Sequence, residues 1–229
     1  MTTKVMPLSF SRLNVFEQCP ARFDYQYVSK RVQDSQNEAS AYGDRVHKVL
    51  EARGKGEAVD ITNPEVQDTV VRWGSLVDTI AARPGEKFFE RQMAVNSDLR
   101  PVDWFANDVW LRSIADVLVI DGTTAFCGDW KSGKVKDDPT QLQLFAAMVM
   151  WHFPEVNTVK TSYIWLKFNQ LTSATYERRF LAPLWSALKP RFTRVQDTIE
   201  LGVFGTKPSG LCPWCPAKDI CPDARQKRK

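Results

Sequence analysis

Hydrophobic positions in the first third of the chain recur at helical spacing. In "LSFSRLNVFEQCPARFDYQYV" Leu13, Phe16, Phe23 and Tyr27 share a face, serines open the run and Pro20 breaks it, which predicts two short helices. "RVQDSQNEAS" is polar throughout and predicts a loop. "AYGDRVHKVLEARGKG" predicts a helix with Val46, Val49 and Leu50 inward, stopped by Gly54 and Gly56. "NPEVQDTVVRWGSLVDTIAARPG" predicts another, with Asn63 as N-cap, Pro64 in the first turn and Pro84-Gly85 as the stop. The period then changes. "KFFERQMAV", "VWLRSIADVLVI", "TAFCGDWK", "TVKTSYIWLKF" and "ATYERRFL" alternate or are rich in β-branched and aromatic residues, and predict strands. The helix "DPTQLQLFAAMVMWHF" falls between the third and fourth strands, and a last long helix runs from about Pro183 to Leu201. This order predicts an α+β (mixed α/β) domain, a central mixed β-sheet flanked by helices. The tail "LCPWCPAKDICPDARQKRK" has too many Pro and Cys for either pattern and predicts a small Cys-rich module at one end.

Composition narrows this little further. The 229 residues are 43% apolar and 11% aromatic, enough for a substantial core and unlike a disordered chain. No run of eighteen apolar residues predicts a membrane span, and the first ten residues lack the apolar stretch of a secretory signal. A cytoplasmic protein is therefore expected, with its five Cys free or metal-bound and not paired as disulfides. The net charge of +4 fits a polyanionic partner without demanding one. Arg225, Lys227, Arg228 and Lys229 follow the last acid and account for that excess.

The chemistry concentrates in "VLVIDGTTAFCGDWKSG". Asp121-Gly122 predicts a tight hairpin turn. A two-residue loop at Asp121-Gly122 makes Asp116 and Asp129 diagonal neighbours. A four-residue loop, "DGTT", sets them directly opposite. Either even length puts both acids and Lys131 on one face, and an odd one separates them. Two such carboxylates repel, so they need a cation between them or one must keep its proton. Hard oxygen ligands suit Mg²⁺ or Mn²⁺. Lys131 can then reach a phosphate oxygen or a bound water. The plain alternative is a surface hairpin with a weak ion pair.

His47 lies on a predicted helix one turn after Gly43, so it can approach the sheet and lend an imidazole to a metal. His152, near a helix end, is expected to cap that terminus as a favourable charge. Gln141 and Phe145 share a helix face, and Gln141 can bond a phosphate or position Lys131. Cys212, Cys215 and Cys221 form C-x2-C-x5-C and supply three metal ligands. Cys19, a Cys-Pro at a helix break like those in the tail, is the expected fourth, and Cys127 is expected to be a buried small hydrophobe. Four thiolates hold Zn²⁺ or an iron–sulfur cluster, and their spacing does not choose. Trp104, Phe105 and Trp110, near Arg100 and Arg112, either stack bases or pack in the core.

Taken in order, these segments resemble the RecB-like, iron–sulfur exonuclease branch of the PD-(D/E)XK nucleases, whose members include the AddB nuclease domain and CRISPR-associated and phage exonucleases. "SFSRLNVFEQCPARFDYQY" resembles its opening with the first cluster Cys, "YGDRVHKVLE" its G-x-x-x-H helix, and "FERQMAV" its strand bearing an acid, here Glu90. "IADVLVIDG" and "CGDWKSG" resemble its aspartate and D-x-K segments, "QLQLF" its Q-x-x-x-Y motif with Phe145 in place of Tyr, and "CPWCPAKDIC" its three-Cys tail. The resemblance implies a restriction-endonuclease-like core over residues 38–203, with residues 1–30 and 205–229 joined as the cluster module. It implies metal-dependent DNA exonuclease activity in recombination, repair or phage and CRISPR DNA processing, with DNA as substrate and a protein partner possible in such complexes. His47, Asp116, Asp129 and the Trp130 carbonyl would hold Mg²⁺ or Mn²⁺, Lys131 would orient water or meet developing charge, Gln141 would place Lys131, and Glu90 would hold an outer-sphere water. Cys19, Cys212, Cys215 and Cys221 would hold a [4Fe-4S] cluster, with Zn²⁺ the alternative. The rival classes are a non-catalytic DNA-binding or assembly subunit of the same fold and a zinc-stabilised interaction protein.

Overall fold

A computed structural model of the chain describes residues 6–33, 38–135 and 138–224. The basic tail and part of the polar stretch before residue 38 lie outside them. The chain divides into two compact units, Met1–Pro7 with Glu38–Trp185, and Leu8–Asn37 with Ser186–Lys229.

The first unit contains α3 (Glu38–Gly54), α4 (Pro64–Ala81), β1 (Glu86–Val95), β2 (Leu111–Asp121), β3 (Thr124–Lys131), α5 (Thr140–His152), β4 (Thr158–Trp165) and β5 (Gln170–Glu177). The five strands form one sheet in sequence order. Neighbours are antiparallel except β3 and β4, which are parallel and joined across α5, as a parallel pair requires a crossover. The sheet is therefore mixed and flanked by helices, as the order of patterns predicts.

One face of the sheet packs on α3 and α4. Val46, Leu50, Trp73, Val77 and Ile80 from the helices meet Phe89, Val117, Val119, Trp130 and Ile164 from the strands. Asn63 accepts a hydrogen bond from the Glu65 amide and caps α4, which ends before Pro84 and Gly85. The other face carries α5. This helix is apolar almost all round, with Leu142 and residues 144–150 buried, as expected of a helix with no solvent face. The Arg178 guanidinium closes its far end by donating to the carbonyls of Met150, Phe153 and Val156, each at 2.8 Å. Those carbonyls have no helical partner of their own.

His152 corrects the expectation of a helix-end charge. Its Nε2 lies 3.0 Å from the Ala94 carbonyl of β1, and burial pushes its pKa below the ordinary imidazole range. Strand β5 begins at Gln170, earlier than its pattern suggests, because residues 166–168 form a single 3₁₀ turn and Asn169 takes a left-handed conformation at the bend. Trp110 is core, 4% exposed and edge-on to Trp185, whereas Phe105 is 81% exposed.

The second unit contains α1 (Phe10–Gln18) and α2 (Pro20–Phe23), which widens into one π-helical turn over Asp24–Val28, together with most of α6 (Leu181–Leu201) and the Cys-rich tail. Ser9 caps α1 and Pro20 starts α2, so the predicted break is present. Arg191 on α6 binds both carboxylate oxygens of Glu17, at 2.7 and 2.6 Å. The Ala21 amide donates to the Gly205 carbonyl, and Phe23 stacks on Phe204. The division assigns α6 beyond Trp185 to the cysteine-bearing segments, so this unit is larger than the expected module of residues 1–30 and 205–229.

Arg178→Ala is expected to lower stability by about 1–3 kcal/mol, since three carbonyls lose a charged donor. The urea midpoint measures this, and an unchanged midpoint would show that water replaces the guanidinium without cost.

Candidate active site

The β2–β3 hairpin turns at Gly122 and Thr123, closed by the pair Asp121 and Thr124. The loop has an even number of residues, and its register is that of the "DGTT" alternative. Val117 pairs with Gly128, so one further step sets Asp116 opposite Asp129. On the other side, Phe89 pairs with Val117 and Arg91 with Ala115, which sets Glu90 opposite Asp116. Asp129 in turn pairs with Tyr163 on β4. Glu90, Asp116, Asp129 and Tyr163 thus form one row across four strands.

The sheet is distorted along this row. The ladders record no pair at Glu90–Asp116 or Asp116–Asp129. Glu90 has φ 57°, a left-handed conformation unusual for a residue with a Cβ, typically costing about 1–3 kcal/mol. Beyond the last pair the Trp130 amide is free to turn, and it donates to Asp116 Oδ2 at 2.6 Å.

Helix α3 reaches the row from the other layer. A Cβ on Gly43 would lie 2.8 Å from Ser132 Oγ, so the missing side chain lets the helix press against the end of β3. One turn on, His47 Nδ1 lies 3.4 Å from Asp116 Oδ2, and the ring hydrogen-bonds to the backbone of Trp130. Burial pushes His47 below the ordinary imidazole range against the pull of Asp129, which favours the neutral form a metal requires. Among the described residues, His47, Glu90 and Asp116 offer donor atoms all within 4.8 Å of one another. Glu90, expected to act through an outer-sphere water, therefore stands among the candidate ligands.

Asp129 and Lys131 are fixed from α5. Gln141 donates through Nε2 to Asp129 Oδ1 at 2.9 Å and accepts from Lys131 Nζ at 3.0 Å. Nζ also lies 2.5 Å from Asp129 Oδ2 but off the angle of a hydrogen bond, so that buried oxygen receives none. The Tyr163 ring lies 5.3 Å from Nζ, and its hydroxyl donates to the Asp138 carbonyl just before α5. Sequence reasoning missed Tyr163. Phe145, at the position of the resemblance's tyrosine, is core.

The charges are crowded. Asp116 is 7% and Asp129 5% exposed. Burial, then the charges of Asp129 and Glu90, raise Asp116 well above the usual carboxylate range. Glu90 is raised by burial and by the charges of Glu51 and Asp129. The clustered, buried carboxylates beside a His held neutral by burial fit a hard divalent cation.

The second unit gathers four thiols. Cys19, Cys212, Cys215 and Cys221 line one cavity of about 350 Å³. Backbone amides of Lys207 and Ser209 donate to the sulfurs of Cys19 and Cys212, at 3.4 and 3.2 Å. Burial raises the Cys215 thiol, and proximity to Cys19 and Cys221 adds to it. Cys127 belongs to the other unit, in β3. It is fully buried and its thiol is pushed far up by that burial, so it packs as a small apolar group.

The model of the PD-(D/E)XK nuclease superfamily matches residues 7–222, nearly the whole chain. The chain belongs to this superfamily. Its mixed sheet between helices is the restriction-endonuclease-like architecture of PD-(D/E)XK nucleases. No curated protein sequence matches it. Among solved structures, a proposed exonuclease from Eubacterium rectale aligns over 97% of this chain and 88% of its own, at 12% identity and a TM-score of 0.53. That likeness speaks to fold alone. The structure of SSO0001 aligns over 97% and 89% at 15% identity, with a TM-score of 0.49 that is too low to argue from. No helix among the described residues of this PD-(D/E)XK chain is long and apolar enough to cross a membrane.

Raised carboxylate pKa values have a consequence in metal-free buffer. The folded chain keeps protons that the unfolded chain releases, so stability falls as pH rises from the ordinary carboxylate range through the raised values. Asp116→Asn is expected to flatten that fall. Thermal unfolding in EDTA at about pH 5 and about pH 8 measures it, and equal slopes for parent and variant would contradict the crowding.

Proposed function

We propose that this PD-(D/E)XK nuclease is a divalent-metal-dependent DNA exonuclease of the RecB-like, iron–sulfur branch. The observation that carries the proposal is the row of Glu90, Asp116 and Asp129 on adjacent strands, with His47 against Asp116 and Lys131 against Asp129. His47, Asp116, Asp129 and Glu90 would hold Mg²⁺ or Mn²⁺, with the Trp130 carbonyl beside them. The cation, when bound, lowers the pKa of its water and offsets charge gathering on the phosphate.

The chain's own groups do the rest. The Trp130 amide fixes one Asp116 oxygen, which leaves the orientation of that carboxylate little freedom. Neutral His47 offers a lone pair with no proton to lose. Lys131, held by Gln141 and over the Tyr163 ring, keeps its ammonium beside Asp129, where it can meet a phosphate oxygen as negative charge develops. Gln141 is a positioning residue, since it touches both Asp129 and Lys131. For the second unit, four thiols around one cavity, with amides donating to two of the sulfurs, support a [4Fe-4S] cluster, with Zn²⁺ the alternative.

Asp129→Ala and Lys131→Ala are each expected to abolish Mn²⁺-dependent degradation of end-labelled DNA while circular dichroism stays that of the parent. Parental activity in either variant would reject the assignment. Separately, Cys19→Ser is expected to lose the brown colour and broad visible absorption of an anaerobic preparation, and Cys127→Ser to keep them. The opposite pattern would place the fourth ligand in β3.

A further inference from the structure

A groove of about 1220 Å³ runs along β1, and the proposed chemistry uses only one of its wall residues. It starts at Lys55, where α3 ends, passes Lys87, Glu90 and Arg91, and reaches Trp104 and His152. β1 is an edge strand, so no further strand of the sheet covers that side. The groove opens on the carboxylate row at Glu90. Its volume exceeds the roughly 300–1,000 Å³ of small-ligand pockets, which suits part of a polymer.

The wall chemistry suits a polyanion with flat bases. Lys87 is exposed and has no carboxylate partner among the described residues. The Arg91 guanidinium lies over the Phe88 and Phe153 rings, at 4.6 and 5.9 Å, and its Nε has no acceptor. Lys55 is paired with Glu51 and contributes less. Apart from Glu90, Asp103 is the one acid in the wall. Trp104 is half-buried, with the Arg112 guanidinium 4.8 Å from its ring centre, so the indole is held in place as it contributes to the wall. A backed indole in a wall that also carries cations without carboxylate partners is the arrangement that binds single strands, where every base has an exposed face. A duplex hides those faces.

We infer that this groove binds single-stranded DNA running from the carboxylate row toward Trp104, with phosphates beside Lys87 and Arg91 and a base stacked on Trp104. The substrate reading rests on the nuclease proposal, but binding is measurable without cleavage. Anisotropy of a fluorescein-labelled oligo-dT, read with the full chain in EDTA, is the test. Trp104→Ala is expected to weaken binding about 5- to 100-fold, and Trp104→Tyr to restore most of it. Lys87→Glu, at an exposed position that folding does not need, is expected to weaken binding and to lower the salt slope. Parental affinity in both Trp104→Ala and Lys87→Glu would overturn the inference, as would parental protein that binds a blunt duplex better than oligo-dT or binds neither. Loss of oligo-dT affinity in these variants upholds the groove even if the parent cleaves nothing, and that outcome would sink the nuclease reading alone.

Discussion

Three carboxylates on neighbouring strands at one level repel one another, and this end of the sheet is arranged around that repulsion. Burial removes the water that would screen them, so the cost rises as the site becomes more enclosed. The chain offsets it with groups of different kinds. Asp116 takes a backbone amide, and Asp129 takes an amide side chain and an ammonium. The backbone yields as well. The β2–β3 ladder stops one residue short of the two aspartates, and Glu90 accepts a left-handed conformation. Strain of this kind persists where surrounding structure holds it, and here α3 and α5 press from both faces.

That arrangement depends on a helix enclosed by the core. Helix α5 is buried on nearly every side, so its first turn is located by the whole core beneath it. Tyr163 ties the segment before it at Asp138, and Arg178 closes its far end. Gln141 inherits this rigidity and passes it to Asp129 and Lys131 together. A loop-borne amide would satisfy the same two hydrogen bonds but leave Lys131 free to swing toward solvent. The buried helix therefore converts core packing into a fixed ammonium position beside Asp129.

Much of this was legible in the sequence because it is local. The alternation in "TAFCGDWK" and the Asp-Gly turn set which face Asp129 and Lys131 occupy, and parity protects that inference from the register itself. The turn closes at Gly122 and Thr123, two pairing steps from one that closes at Asp121-Gly122, yet both acids stay on one side. Gly43 and His47, one helical turn apart, signal the close approach of α3 in the same way. Long-range partners were not legible. Tyr163 meets Lys131 only because the parallel β3–β4 pairing sets it beside Asp129, and a crossover leaves no trace of its register in either strand. Arg178 looks like any surface arginine until β5 delivers it to the end of α5. His152 was misjudged for the converse reason, since β1 covers the terminus it was expected to cap. The conformation of Glu90 belongs to its neighbours on β2 and α3, so no local pattern announces it.

The cysteine unit poses a different physical problem. Its four thiols come from segments nearly two hundred residues apart, and closing such a loop costs conformational entropy that grows only slowly with length. Ordinary contacts bear part of that cost. Glu17 receives Arg191 on its carboxylate and Lys207 on its carbonyl, Ala21 meets Gly205, and Thr206 bonds Asp223. All four lie within a few residues of one of the four cysteines or on the helix leading to the tail. The two chain ends are thus brought into register by side chains and backbone, and the thiols then face one cavity with amides already donating to two of their sulfurs. A metal group bound there has little further ordering to impose, so its binding free energy can go mainly into locking a pairing the chain already favours.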